Sequence, residues 1–433
     1  MRRSTAVPAG RKLAAAGLVA LFVALATGGP ATSEDVPLPL GHSDLPETRT
    51  VTELAPGVTY TTISRGTGAA KAKDYQTTKR GPWVVRMVTI DPAVATGSLG
   101  ATYGSTLAPV ETVTDLSAYA GAMVAVNASF FTFGASTSFP GDPVGLGLYD
   151  GQLLSEPSTG TAEVSMLMDA RTNQISFPGK LSWKERIVNQ RSNAGLKLTK
   201  LGHPPVVPAK CTKKKDPTKC FQPGDVVKLP AQFSGVTPAG KGVEVVLSRK
   251  GCVLSRERER GTFLKPVQTA IQATGKKAKR LLVITRPKGG ERKACMKSTT
   301  RLRDGLGNRV PITRGMFGVN GRFTLTRDGV AVVPRGDTSL FARNPRTFVG
   351  RTDAGQIGIV AIDGRQAGSV GVSLREAAQV ALALGLPNAI NLDGGGSTSM
   401  VLNGQLVSSP SGSSERKVGD ALVWSATPYA RRR

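Results

Sequence analysis

The sequence predicts an α+β fold, a strand-rich mixed sheet completed by hairpins and a C-terminal strand-helix-strand unit. Three observations predict it. Apolar runs of strand length, bounded by turn residues, recur along the middle of the chain; one helix-period pattern lies between two such runs near the C-terminus; and 39% of the 433 residues are apolar, enough for a packed core.

Taken in order, MRRSTAVPAGRK supplies four basic residues, the run from Leu13 to Ala26 is apolar, and Ala31, Thr32 and Ser33 offer a small-residue cleavage site, so residues 1–33 read as a signal peptide for export. That apolar run is short for a bilayer and no later segment resembles a span, so no membrane span is expected after cleavage. Residues 34–81, rich in Pro, Thr and Gly, read as a tether or as early strands, and one globular domain is expected over 82–428. WVVRMVTI is a strand, Thr112 to Ala120 a short helix, and AMVAVNASFF a buried strand with a polar end. GLGLYDGQLLS turns at Asp150-Gly151, GVEVVLSRKGCVLS forms a second hairpin, and GRFTLTRDGVAVV turns at Asp328-Gly329. QIGIVAID is the next strand. Ser373 and Glu376 have capping-box spacing; Leu374, Ala377, Ala378, Ala381 and Leu384 repeat at helical spacing; Gly385 and Pro387 stop the helix. AINL follows as a strand. Strand, helix, strand implies a crossover that lays the two strands parallel in one sheet, with Asp393 at the carboxyl end of the second, where α/β units commonly bind ligands. Asn403-Gly404 turns the last hairpin.

The formal charge is +27, and residues 191–314 carry most of it, with 29 Lys and Arg against 7 Asp and Glu. Such a segment either concentrates polyanions by long-range attraction or is a solvated surface with no specific partner. Nucleic acid is disfavoured, because aromatics are only 5% and none interleave with KCTKKKDPTK or GKKAKR as a stacking platform requires. All four cysteines lie in this segment. In an exported chain they read as disulfides, with Cys211–Cys220 and Cys252–Cys295 the expected pairs and free buried thiols the alternative. No CxxC spacing points to zinc.

NLDGGGSTSMVLNGQLV poses the chemical question, since three consecutive glycines lose much conformational freedom on folding and need a compensating purpose. Successive glycines can aim several N–H groups at a phosphate or other oxyanion, Ser397 and Thr398 add donors, and Asp393 is then a base or nucleophile toward a carbon attached to that phosphate. The alternative is a glycine-rich turn in which Asp393 caps its own backbone. Arg346, in FARNPRT, can hold phosphate through two parallel hydrogen bonds or pair with a surface carboxylate. Neither His42 nor His203 is placed convincingly for a catalytic base, which disfavours a Ser-His-Asp arrangement, and no Walker lysine follows the glycines.

Asn391 to Thr398, Asn344-Pro345-Arg346-Thr347 and Asn127 to Phe131 together resemble the phosphodiester glycosidase family, with motifs in similar order from about Pro82 to Trp424. The chain departs from the family pattern at Ala128-Ser129, where glycines are usual, and at Asp420, where asparagine is usual; the basic segment looks enlarged. The resemblance implies a phosphodiester-glycosidase-like fold with Asp393 and Arg346 catalytic. It also implies a site lined by Asn127, Asn344, Thr347, Gly394, Gly395, Gly396, Ser397, Thr398 and Arg416. Asp142, Asp363 and Asp420 are candidates for a second carboxylate. The expected activity is hydrolysis of a sugar-1-phosphodiester at the anomeric C–O bond by a secreted protein associated with the cell wall. Charge and export suggest as partner a phosphate-containing wall or capsular glycan, or another polyanion. No cofactor is required by this reading, and assistance by a divalent cation is left open. The alternatives are a non-catalytic anionic-glycan-binding protein and a secreted phosphodiesterase that cleaves P–O.

Overall fold

The computed structural model describes residues 36–429, so the expected export signal lies outside the described residues. Among them the fold is mainly β, built from five sheets, where an α+β class was expected. The helices are few, and the longest, Leu374–Ala383, has 10 residues.

The largest sheet has eight strands in the order Glu47–Ala55, Val58–Arg65, Trp83–Ile90, Ile357–Ile362, Arg346–Arg351, Asn388–Asn391, Thr324–Arg327 and Val330–Ala331. Much of residues 34–81 is therefore sheet rather than tether, with Val58 and Ile63 buried in the core. Arg346–Arg351 lies between Ile357–Ile362 and Asn388–Asn391 and is antiparallel to both, so those two run in the same direction with one strand between them. Leu374–Ala383 spans the connection. Its first turn is closed by the Ser373 hydroxyl, which accepts from the Glu376 amide at 3.2 Å, and by the Glu376 carboxylate, which accepts from the Ser373 amide at 2.8 Å. Leu374, Ala377, Ala378, Val380 and Ala381 are buried against Phe348 and Ile362, while Leu384 is only partly covered. Burying one such leucine contributes about 1.5–3 kcal/mol.

A second sheet, ordered Gln405–Leu406, Met400–Leu402, Val124–Asn127, Ala421–Ser425 and Ser98–Thr102, receives the chain directly after the glycines. Residues 392–399 thus cross from one sheet to the other. The turns at Asp150-Gly151, Asp328-Gly329 and Asn403-Gly404 all have positive φ at both residues, the backbone that tight hairpins require.

Much of the basic segment forms a sheet of its own, Lys200–Leu201, Val226–Pro230, Thr269–Ala273, Gly240–Leu247 and Val253–Arg260. It packs with helix Lys277–Ile284 around a separate apolar cluster that includes Val243, Val245, Ile271 and Leu281. Cys211 is bonded to Cys220, and Cys252 to Cys295. Each bond closes a loop within this segment, which limits the conformations open to the unfolded chain.

Candidate functional site

Asp393 follows the last residue pairs of strand Asn388–Asn391, at the edge of the large sheet where Ile357–Ile362 also ends and Arg346–Arg351 begins. Its backbone is pinned from the second sheet: the Asp393 amide donates to the Ala128 carbonyl at 2.9 Å, and the Asn127 side-chain amide donates to the Asp393 carbonyl at 2.6 Å. Asn127 is fully buried, and its Oδ1 accepts from the Thr347 hydroxyl at 2.6 Å and the Ser399 amide at 3.2 Å. Asn127 and Thr347, expected among the site-lining residues, therefore orient the loop. Burial pushes the Asp393 carboxyl up to about 6, against the opposing pull of the Ser397 side chain, the Gly394 amide, Arg416 and Arg322.

The glycines answer the question their run posed, but differently from the expected amide cradle. Gly395 N donates to the Pro345 carbonyl at 2.9 Å, which ties the loop to the start of strand Arg346–Arg351, and Ser397 and Thr398 donate to Gly394 and Gly395 at 3.2 Å within a tight turn, Gly395–Ser397. What the missing side chains provide is room. A Cβ on Gly396 would lie 2.2 Å from Nη2 of Arg416, and one on Gly395 would lie 3.3 Å from Nη2 of Arg365. Gly395 also has φ +62. Two guanidinium groups thus rest against bare backbone beside Asp393.

Arg365 is held by the Asn344 side chain, whose Oδ1 accepts from Nε at 2.9 Å and Nη2 at 2.6 Å, and Arg416 lies over the Phe133 ring at 5.0 Å. Arg322 lies over Phe130 at 4.5 Å. Among the described residues none of these three arginines is in a salt bridge. Burial and the charge of Arg416 lower the Arg365 pKa. Arg365 and Arg322 escaped the sequence reading; the available signal was Arg365's place just past the strand QIGIVAID, on the sheet edge that carries Asp393. Thr398 Oγ1 and Ser399 Oγ on the same crossing, and Asn391 Oδ1 at the end of the strand before it, are buried without a protein partner. Each unmet group of this kind costs about 1–3 kcal/mol, an expense that functional loops commonly carry.

Arg346 has main-chain partners that the sequence did not reveal. Its guanidinium is fully buried and donates to the carbonyls of Val372 at 3.1 Å, Ala342 at 2.7 Å and Leu340. Burial, then the nearby Arg365, lower its pKa to about 10. Through Nε and Nη2 Arg346 ties residues 340–342 to the segment before the helix, a positioning role, while Nη1 makes no hydrogen bond among the described residues. Asn344 likewise acts through Arg365, and its own amide donates to Ser339 and Ala342 carbonyls at 2.8 and 3.1 Å.

The second-carboxylate candidates are each paired elsewhere, although Oδ1 of Asp142 is buried without a partner. Asp363 is paired with Arg86 and accepts from the Ser409 amide at 3.0 Å. Asp420 accepts from the Ser129 amide, the Ser129 hydroxyl and the Tyr149 hydroxyl, each at 2.7 Å, and so replaces missing glycines by fixing the 127–131 loop from beneath. Asp142 accepts from Nδ1 of His203 at 2.8 Å. His203, not placed convincingly for a catalytic base by the sequence, has Ser155 Oγ 3.2 Å and Glu156 Oε2 3.4 Å from its Nε2, which completes the outline of a Ser-His-Asp triad. The Ser155 hydroxyl is fully buried and is within 2.6 Å of the Gly145 carbonyl, to which it donates. It therefore accepts from the imidazole rather than being activated by it. Burial lowers the His203 pKa, but Asp142 and Glu156 outweigh it and raise the pKa above its ordinary value. The cluster is an imidazole ring held between two carboxylates.

Residues 241–424 match the model of a family described as phosphodiester glycosidase. Over 66 residues the chain is 48% identical to N-acetylglucosamine-1-phosphodiester alpha-N-acetylglucosaminidase of Bos taurus and 47% identical to the Homo sapiens protein of the same name. The matched stretch is 15% of this chain and spans only 12% and 13% of those relatives. Among solved structures, a candidate exported protein from Burkholderia pseudomallei aligns with a TM-score of 0.73 at 22% identity, over 90% of this chain and 98% of that one. A hypothetical protein from Synechocystis aligns with a TM-score of 0.62 at 21% identity, over 88% and 64%. At these identities the two structures show a shared fold.

Proposed function

Because residues 241–424 belong to the phosphodiester glycosidase family, we propose that this chain is a hydrolase that cleaves a sugar-1-phosphodiester at the anomeric C–O bond. The observation that carries the reading is the convergence of Arg365 and Arg416, neither in a salt bridge, on the bare glycine backbone beside Asp393. Two cations outside any salt bridge fit a phosphodiester monoanion, and their charge stabilises the leaving phosphate as its bond to carbon breaks. Water oxygen bonds to C1, the C1–O electron pair departs with the phosphate, and Asp393 takes the water proton; in a retaining variant Asp393 itself bonds to C1 first. A carboxyl with a pKa of about 6 is mostly ionised at pH 7 yet basic enough to accept that proton. The two disulfides support export to an oxidising space, and an anionic wall or capsular glycan is the proposed source of the diester. The reading calls on no cofactor.

Turnover of a synthetic sugar-1-phosphodiester in oxygen-18 water tests it. Label is expected in the released sugar. Label in the phosphate would replace this reading with P–O cleavage, and absence of turnover with retained binding would replace it with a glycan-binding protein.

A further inference from the structure

A cleft of about 950 Å³ opens between the sheet of the basic segment and strand Met296–Arg303, and it shares no lining residue with the Asp393 site. Five cationic side chains line it, Lys228, Arg249, Lys250, Lys297 and Arg309, and no Asp or Glu does. Lys228 is neutralised from behind by the buried Glu185. The other four are exposed, and none is in a salt bridge among the described residues. Between them the wall carries glutamine amides and Ser and Thr hydroxyls, and no aromatic ring.

We propose that this cleft binds a segment of acidic oligosaccharide at a site separate from the Asp393 centre. Like charges gathered around one concavity raise its potential and draw in an anion. Arginine forks pair with carboxylate, sulfate or phosphate groups, while amides and hydroxyls match the many hydroxyls of a sugar chain. The volume is that of a ligand site and admits a few sugar rings. A wall without aromatics offers no surface on which unpaired bases could stack, so a nucleic acid is the poorer occupant.

The proposal is independent of the hydrolase reading, and its test needs no turnover. Calorimetric titration of the full-length Asp393→Asn protein with a short oligogalacturonate should show salt-sensitive binding. The double variant Arg249→Glu/Lys297→Glu, added to that protein, should weaken binding at least about 10-fold, the effect of losing a charged hydrogen bond or more. Lys213→Glu/Lys214→Glu, exposed basic positions in the same segment but outside the cleft, should leave affinity within about two-fold of the parent. The proposal is overturned by absence of binding, by equal loss in the two double variants, by equal affinity for an uncharged oligosaccharide of the same length, or by tighter binding of single-stranded DNA.

Discussion

Asp393 and Asp142 are two carboxyls whose pKa burial raises, set in polar clusters whose charges are paired differently. Around Asp142 the charges meet: His203 bonds it, Glu156 faces the same ring, and the Ser155 hydroxyl is taken by a carbonyl. Around Asp393 they do not, since Arg416 and Arg322 pull on the carboxyl and Arg365 lies against Gly395, all without salt bridges; each cluster keeps one unpartnered oxygen, Thr398 Oγ1 here and Asp142 Oδ1 there. A triad-like outline can thus be purely structural, while a less familiar arrangement with unspent cations has something left to offer a ligand.

The contrast is sharpest in Asp393→Asn. Loss of the base or nucleophile should lower kcat by at least about 1,000-fold in the oxygen-labelled assay, and a rate near the parent's would break the comparison. The same substitution should stabilise the fold at pH 7. A carboxyl raised from 3.8 to about 6 binds its proton more tightly folded than unfolded, so its contribution is fully present below the unfolded pKa and is lost as pH rises through about 6. Removing the charge should recover about 2–3 kcal/mol at neutral pH, read by urea unfolding, and flatten that part of the pH–stability curve. Catalysis should run the other way, with kcat/KM of the parent rising over the same interval.

Next in size, Arg416→Ala and Arg365→Ala should each lower kcat/KM by about 100-fold with little change in melting temperature. Arg346→Met should do the reverse first, costing about 3 kcal/mol of stability because three carbonyls lose their donor. The smallest effect is expected at the other cluster. His203→Gln should cost about 1–2 kcal/mol in urea unfolding at pH 6, with kcat/KM within about two-fold of the parent; a collapse of kcat/KM in a folded protein would return the cluster to the catalytic account.

Much of the frame was legible because its signals are local. The capping box at Ser373, the stop at Gly385 and the paired positive-φ turns depend on a few neighbouring residues, and Asp393 at a strand's end follows from the apolar run before it. The role of Arg346 was not legible, because side chains alternate across a strand and the sequence does not say which face is which. Thr347 reaches Asn127 on one face, so Arg346 lies on the other, beneath the segments around the helix. Arg365 and Arg322 come to the site from different strand ends, and no motif spacing links them to Asp393. The partners of His203 were hidden for the same reason: Asp142 and Ser155 lie 61 and 48 residues away in the chain.

Asn127 holds three points at once, the Asp393 carbonyl in the crossing, Thr347 in the large sheet and the Ser399 amide. The aim of the reactive carboxylate is therefore slaved to the alignment of two sheets, and a small slip between them would misdirect it while both sheets stay intact. Warming should silence such a centre several degrees before the molecule melts, so lost activity would be an early thermometer of loosening at that seam.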